Sequence, residues 1–227
     1  FFYLAAQDGR AVVVDNLLEE FWPESGEAAR ANLNTAASSI RRTLRSAREV
    51  AGPDPILRIR ESICINPDCP RWHDVEELEK AYQAGCRAWE EGQLDVGVLQ
   101  FTRVAQLYRG PYLDGIYMDW ALRRRTSIER IVGEALERLA DSCLDQKSYK
   151  EALEYSQRLL EIRPESVDAH HAKMRAHLGL EEHSLVAQQF EACRKMMEEM
   201  YSTPPPTELL KTLYQSRYGL TEPSAKI

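Results

Sequence analysis

The feature that most constrains the fold is a helical pattern that runs almost without a break from Asp74 to Tyr218. Apolar residues recur at helical spacing, turn signals separate the segments, and this part of the sequence contains no β-rich run. We therefore predict an all-α domain over residues 74–227. Its predicted helices are Asp74–Glu91, Leu94–Leu107, Asp119–Gln146, Tyr149–Arg163, Val167–Gly179, Ser184–Met200 and Thr207–Tyr218.

A weak internal repeat with a period of about 34 residues is present in this domain. Its clearest copy contains Tyr149, Ala152 and Pro164. The degenerate copies consist of Ala187, Phe190 and Met197, and of Ala84, Ala88, Gly92, Leu94 and Phe101. Small residues where helices cross, with proline after the second helix, are typical of stacked tetratricopeptide-type helix pairs. The alternative is a generic helical bundle, and the register of the first copy favours the repeat.

Residues 28–48 form a second informative pattern, a helix with two different stripes. The apolar stripe consists of Leu33, Ala37, Ile40 and Leu44. A polar stripe on the neighbouring face consists of Arg30, Asn34, Ser38, Arg41 and Arg45. A helix in the DNA major groove needs arginines for phosphates and short polar groups for base edges. An ordinary solvated helix has the same composition, so the interpretation depends on the surrounding sequence.

The surrounding sequence indicates a winged helix-turn-helix. A short amphipathic helix is predicted over Val12–Phe21, with Asp15 as its N-cap. After the polar-faced helix, the β-prone runs Ile56–Arg60 and Ile63–Asn66 predict a hairpin. Alternation along a strand would place Arg58 and Arg60 on one face of it. A basic hairpin beside a basic helix favours nucleic-acid binding over a plain surface helix.

The charge distribution supports a local nucleic-acid footprint on an otherwise acidic chain. The net charge is −7. Residues 28–60 nevertheless contain seven arginines against Glu49 and Asp54, whereas residues 74–227 contain 20 Lys+Arg and 26 Asp+Glu. A basic patch on an acidic protein indicates focused rather than generic binding of polyanions.

Several function classes have no support in the sequence. It has no Gly-x-x-x-x-Gly-Lys phosphate loop and no Gly-x-Ser-x-Gly nucleophile turn, so we predict neither an enzyme nor a bound cofactor. Cys64, Cys69 and His73 have a loose metal-ligand spacing without a clear fourth ligand, which favours free cysteines over zinc. The five scattered cysteines and the lack of a long apolar run predict a cytoplasmic protein that does not enter a membrane.

Taken together, these patterns resemble a known family, and the residues that carry the resemblance are spread over nearly the whole chain. They are Leu17-Leu18, Trp22-Pro23, Ala29-Arg30, Asn32-Leu33, Ser38 to Arg42, Leu44, Tyr108, Gly110, Tyr112-Leu113, Trp120, Arg123-Arg124, Met174, Gly179, Pro206-Thr207 and Leu213-Tyr214. The family is the bacterial transcriptional activator domain family, in the form found in Streptomyces-antibiotic-regulatory-type activators. These combine an OmpR-type winged helix with a tetratricopeptide-like helical domain.

The resemblance implies a mainly α fold with two domains. Residues 1–73 would form a winged helix-turn-helix, and residues 74–227 the bacterial transcriptional activator domain with its helical repeats. The first residues are apolar and have no helix-capping residue before them, a pattern typical of the interior of a helix. We therefore expect the N-terminal strands of the winged helix to be missing.

The resemblance also implies a transcriptional activator that binds repeated promoter sites and recruits RNA polymerase. By position, Asn34, Thr35, Ser38 and Ser39 would face the bases. The phosphate contacts would be Arg30, Arg41, Arg42 and Arg45 on the helix, with Arg58 and Arg60 on the wing.

The expected partners are double-stranded promoter DNA, RNA polymerase or regulatory domains of a larger parent protein, with a homodimer as a further option. The rival hypothesis is a non-enzymatic protein–protein interaction module of a larger signalling protein, whose helix-turn-helix is structural and binds no DNA. Salt-dependent DNA binding separates the two hypotheses.

Overall fold

The computed structural model of the protein describes residues 1–7, 9–46, 52–69 and 72–219. The N-terminal elements in chain order are α1 (Phe2–Ala5), β1 (Val12–Val13), α2 (Val14–Phe21), α3 (Ala28–Ser46), β2 (Ile56–Ile59) and β3 (Ser62–Ile65). The helices that follow are α4 (Asp74–Glu90), α5 (Leu94–Leu107), α6 (Asp119–Asp145), α7 (Tyr149–Ile162), α8 (Val167–Gly179), α9 (His183–Tyr201) and α10 (Thr207–Tyr218).

Two compact units share these elements. The first contains Phe1–Glu76 together with Ile116–Arg124, and the second contains Glu77–Gly115 together with Arg125–Ile227. The segment Ile116–Arg124 therefore belongs to the N-terminal unit although it follows α5 in sequence. Within this segment, the indole ring of Trp120 packs edge-to-face on the ring of Tyr3, with the ring centroids 5.2 Å apart.

The first unit is a winged helix-turn-helix, which confirms the predicted fold class. Its antiparallel sheet has the strand order β1-β3-β2 and pairs Val12 with Ile63 and Ile56 with Ile65. Helices α2 and α3 contribute Leu17 and Leu33 to the same apolar core as the sheet. The hairpin is thus joined to the helix-turn-helix by a shared hydrophobic core.

Three local predictions in this unit were wrong. Val12 and Val13 form a strand because they pair with β3, so α2 begins only at Val14. Its N-cap is Val13 without a side-chain hydrogen bond, and Asp15 lies in the first helical turn instead. The hairpin turn is one residue earlier than predicted, which places Arg60 in the turn with φ +53° rather than on a strand beside Arg58.

The second unit is entirely helical over its described residues, as predicted. Helices α5, α8 and α10 have the predicted bounds, and α4, α6, α7 and α9 differ from prediction by one residue at one or both ends. Periodicity and turn residues are local signals, so they are read reliably from sequence. None of the described helices is both long enough and apolar enough to cross a membrane.

Among the described residues of this unit, the same turn ends a helix three times and provides structural evidence for the repeat. Gly92, Lys147 and Glu181 each adopt a left-handed backbone, with φ of +75°, +61° and +61°. The next residue in each case donates its N–H to a carbonyl five residues back, at 2.8, 2.8 and 2.9 Å. This pair of features defines the Schellman helix end. The repeat is therefore tetratricopeptide-like, as predicted.

Alanines allow the helices of the clearest repeat to pack closely. Ala152 of α7 is fully buried in a cluster with Ala140 of α6 and with Ala172 and Ala176 of α8. A larger side chain at any of these crossings would separate the helix axes. The predicted position of Ala152 at a helix crossing is confirmed.

Candidate nucleic-acid interface

Helix α3 buries the apolar face that its sequence predicts. Ala29, Leu33 and Ala37 are buried, and Ile40 packs partly against the same core. Leu44 at the C-terminal end is half-buried. This packing fixes the rotation of the helix, so the environment of every other side chain on α3 follows from its angle to the buried face.

The polar side chains beside the buried face are tied to other parts of the winged helix. We call this group, which consists of Arg30, Asn34, Arg41 and Arg45, the braced stripe. Arg30 forms ion pairs with Asp15 at 3.0 Å and with Glu61 at 3.3 Å. Asn34 accepts a 3.1 Å hydrogen bond through Oδ1 from Nη1 of Arg58 on β2. The braced stripe thereby connects α3 to α2 and to the wing.

Asp54, in the segment before β2, holds the other two members of the braced stripe. Its Oδ1 atom accepts hydrogen bonds from Nε of Arg41 at 3.0 Å and from the backbone N–H of Ile56 at 3.1 Å. Its Oδ2 atom lies 3.4 Å from Nη2 of Arg45. Arg41 also donates to the Ile56 carbonyl at 3.0 Å, so its guanidinium is used within the protein.

The Asp54 carboxyl is held in its ionised form. Partial burial alone would raise its pKa, but the hydrogen bonds from Ile56 and Arg41, together with the charges of Arg41 and Arg45, lower the pKa below its ordinary value. The carboxylate and the two guanidinium groups therefore carry a combined charge of only +1 at neutral pH. In sequence, Asp54 is only one of two acidic charges in the basic region, and no local signal indicates its contacts with Arg41 and Arg45.

The side of α3 opposite the buried face carries a second group of polar residues. We call Thr35, Ser38, Ser39 and Arg42 the exposed strip. All four are exposed, and none makes a side-chain hydrogen bond or ion pair within the described residues. Ser38, predicted to share a stripe with Arg41, belongs to this more exposed group. The strip offers three short hydroxyl groups and one long cation to a ligand.

The wing places its two arginines in different settings. Arg58 lies on β2, is exposed, and points toward α3 through its bond to Asn34. Arg60 is exposed at the tip of the hairpin, beside Glu61, whose side chain binds Arg30. The structure thus brings nine of the ten predicted site residues together on α3 and β2, with Arg60 at the tip of the wing.

The helical unit has an open cavity of about 710 Å³ between helices α6, α8 and α10. Arg175 and Lys211 line it together with apolar residues such as Leu144 and Leu178. Arg175 also pairs weakly with carboxylates of α6, at 3.4 Å from Asp141. The cavity is large enough for a short stretch of polypeptide, and its walls combine apolar and cationic groups with the carboxylate of Glu208.

Comparisons with known proteins locate the chain among bacterial regulators. The family profile described as the bacterial transcriptional activator domain matches residues 73–216. A comparison with curated proteins finds no match.

Two of the solved structures that resemble the chain illustrate its fold. Mycobacterium tuberculosis EmbR, solved in complex with a low-affinity phosphopeptide, is 16% identical with a TM-score of 0.71, over 94% of this chain and 56% of that one. The chain therefore spans little more than half the length of EmbR. The TPR2B domain of yeast Sti1, solved in complex with pHsp70, is 16% identical with a TM-score of 0.46, over 64% of this chain and 99% of that domain.

Proposed function

The chain belongs to the bacterial transcriptional activator domain family, and on that premise we propose that it is a DNA-binding transcriptional regulator. Its winged helix contacts promoter DNA, and its helical repeats contact protein partners such as RNA polymerase or the regulatory domains of a larger parent protein. The observation that carries the proposal is the exposed strip of α3, which has no partner within the described residues and belongs to the helix that Arg58 of the wing contacts through Asn34.

The chemistry of the exposed strip matches what the major groove offers. Hydroxyl groups of Thr35, Ser38 and Ser39 donate or accept hydrogen bonds at base edges, and the threonine methyl group suits a thymine methyl. These side chains are short, so α3 would lie deep in the groove. Arg42 is long enough to reach a phosphate from the same face.

The remaining predicted site residues fall into two groups in this proposal. Arg58 and Arg60 contact the DNA backbone from the wing, and Asn34 presents its amide Nδ2 group to a base while its oxygen binds Arg58. Arg30, which is 54% exposed, supplies an additional phosphate contact when its ion pairs loosen. Arg45 is held by Asp54 and is not counted among the phosphate contacts of this proposal. Arg41 is enclosed by its bonds to Asp54 and Ile56, so its main role is to position the wing.

The experiment is a titration of the full chain with a mixed-sequence DNA duplex over a range of salt concentrations. Each neutralised phosphate contributes about −0.9 to the log–log slope, so four to six arginine contacts give a slope of roughly −4 to −5. Arg42→Ala should reduce the slope by about one contact for every duplex. Binding that does not depend on salt would contradict the proposal and favour the protein-interaction module.

Recognition of the DNA base sequence is tested separately, by selecting the duplex that the protein prefers from a random pool. Asn34→Ala should reduce discrimination at one base position by about 1–3 kcal/mol and leave non-specific binding in place. Arg58→Ala, a matched change at its hydrogen-bond partner, should weaken all duplexes to a similar extent. The opposite result for the two variants would show that their roles are exchanged.

For the protein contacts, we propose the cavity between α6, α8 and α10. Its apolar walls would bind side chains of a partner segment, and Arg175 and Lys211 would bind acidic groups. Crosslinking from Lys211 to RNA polymerase, compared with crosslinking from Lys195 on the exposed side of α9, tests this placement. Equal crosslinking from both lysines would contradict it.

A further inference from the structure

One carboxylate meets two cations of α3 at the edge of the proposed DNA surface. Asp54 binds Arg41 and Arg45 through different oxygens, at 3.0 and 3.4 Å. Its backbone is fixed as well, because its carbonyl accepts a 2.8 Å hydrogen bond from Nδ2 of Asn66 at the end of β3. The carboxylate is therefore held in place from both sides of the hairpin base.

The two arginines differ in how strongly this carboxylate restrains them. Arg41 is 27% exposed and has a second bond to the Ile56 carbonyl, so it would keep its place without Asp54. Arg45 is 60% exposed, and Asp54 is its one partner within the described residues. Removal of the carboxylate charge would therefore release Arg45 in particular.

A released Arg45 would change DNA binding in a predictable way. An arginine on a mobile side chain neutralises any phosphate within reach, whatever the base sequence. It would add affinity for all DNA equally and so dilute the preference that base contacts create. A carboxylate that restrains such an arginine favours specific over non-specific binding.

We propose that Asp54 is a specificity-determining positioning residue, which holds Arg45 away from DNA phosphates and sets the wing against α3 through Arg41. The proposal rests on the proposed DNA-binding function. It assigns a role in recognition to a residue that touches no DNA itself. It also explains why an acidic residue occurs at the base of a basic wing.

The test is Asp54→Asn, measured by the salt dependence of binding to a mixed-sequence duplex. Asparagine keeps an oxygen for Arg41 and Ile56 but removes the charge that restrains Arg45. We expect several-fold tighter non-specific binding and a log–log slope steeper by about 0.9, the value for one added phosphate contact. The ratio of specific to non-specific affinity should fall by a similar factor. Asp95→Asn at an exposed position of α5 is the matched control, with the same change in net charge far along the chain from α3.

A double-mutant comparison isolates Arg45 from any loss of folding. Arg45→Gln should leave non-specific binding nearly unchanged when Asp54 is present, and should abolish the gain in slope when Asp54 is replaced by Asn. An equal effect of Arg45→Gln in both backgrounds would overturn the proposal, as would an Asp54→Asn slope equal to that of the Asp95→Asn control. If the unaltered chain showed no salt-dependent binding, the proposed function would fail first. Thermal unfolding of each variant confirms that the compared proteins are folded.

Discussion

Arg41 and Arg42 are adjacent in sequence, but their side chains have opposite environments. The guanidinium of Arg41 is held between the Asp54 carboxylate and the Ile56 carbonyl, each at 3.0 Å. Arg42 is exposed on the far side of α3. One residue along a helix rotates the side chain by about 100°, which is enough to move it from an internal contact to solvent.

The different environments of Arg41 and Arg42 predict that one substitution affects protein stability and the other affects DNA binding. Arg41→Ala should lower the free energy of unfolding of the winged helix by about 1–3 kcal/mol, because it removes charge-assisted hydrogen bonds and leaves the Asp54 carboxylate with one cation fewer. Arg42→Ala should leave stability within about 0.5 kcal/mol and weaken DNA binding instead. Urea unfolding and a DNA titration on both variants check this. Equal stability losses in the two would show that the contacts of Arg41 contribute nothing.

The alanine cluster of the helical unit predicts an overpacked variant. Ala152 is fully buried against α6 and α8, so Ala152→Leu should lower the free energy of unfolding by about 1–3 kcal/mol or more. Ala192→Leu on the exposed side of α9 is the matched control and should be nearly neutral. Hydrogen exchange should become faster from residue 125 to residue 218, because neighbouring repeats share stability.

Protection at Leu33 to Leu44 should stay unchanged in the same experiment, because those residues pack in the core of the winged helix. Loss of protection at both places to the same extent would mean that the two units unfold together. It would then contradict the predicted division of the chain into two independently folding domains.

The left-handed residue that ends α6 predicts a stabilising substitution. Lys147 has φ +61° at a Schellman helix end, where glycine avoids the steric cost of a Cβ atom. Lys147→Gly should raise the free energy of unfolding by up to about 1 kcal/mol. Lys150→Gly, in the first turn of α7, should lower it by about 0.5–1 kcal/mol. Calorimetry of the two variants measures the contrast, and a drop in melting temperature for Lys147→Gly would refute it.

Two histidines of α8 predict acid sensitivity of the helical unit. Burial lowers the pKa of His170 and of His171 below their ordinary value near 6.5. The unfolded chain therefore binds these protons more readily than the folded chain. The stability that the two neutral histidines contribute is fully present above about pH 6.5. It is lost as the pH falls through their lower folded-state pKa values, because the unfolded chain then binds the protons first. Thermal unfolding across this range measures the loss.

The matched control removes the titration. His171 accepts or donates at 3.0 Å to Thr212 of α10, and glutamine can replace that bond without a charge. Burial raises the pKa of Glu137 and Asp141, which act in the opposite direction because their protonation favours the folded state. The prediction is therefore tested by the difference in free energy of unfolding between the unaltered chain and a variant with both His170→Gln and His171→Gln. A difference that does not change with pH would contradict the prediction.

The helix bounds of the second unit could be predicted because they depend on neighbouring residues. Gly92 marks a helix end through its freedom to adopt positive φ, and the alternation of apolar residues marks each buried face. The start of α2 could not be predicted in this way. Val12 and Val13 are extended because they pair with Ile63 and Ser62. Neighbouring residues cannot indicate a strand partner that is about 50 residues away in sequence.

By itself, the sequence determined the fold class, the helical repeat and the stripe of α3 that enters the core, since all three follow from periodicity and turn residues. Tertiary structure decided which polar residues of α3 are available to a ligand. Arg41 depends on Asp54, 13 residues away, and Arg30 depends on Glu61, 31 residues away. Such ion pairs form only after the shared apolar core has placed the hairpin against α3, because the attraction between exposed charges is too weak in water to bring distant segments together by itself.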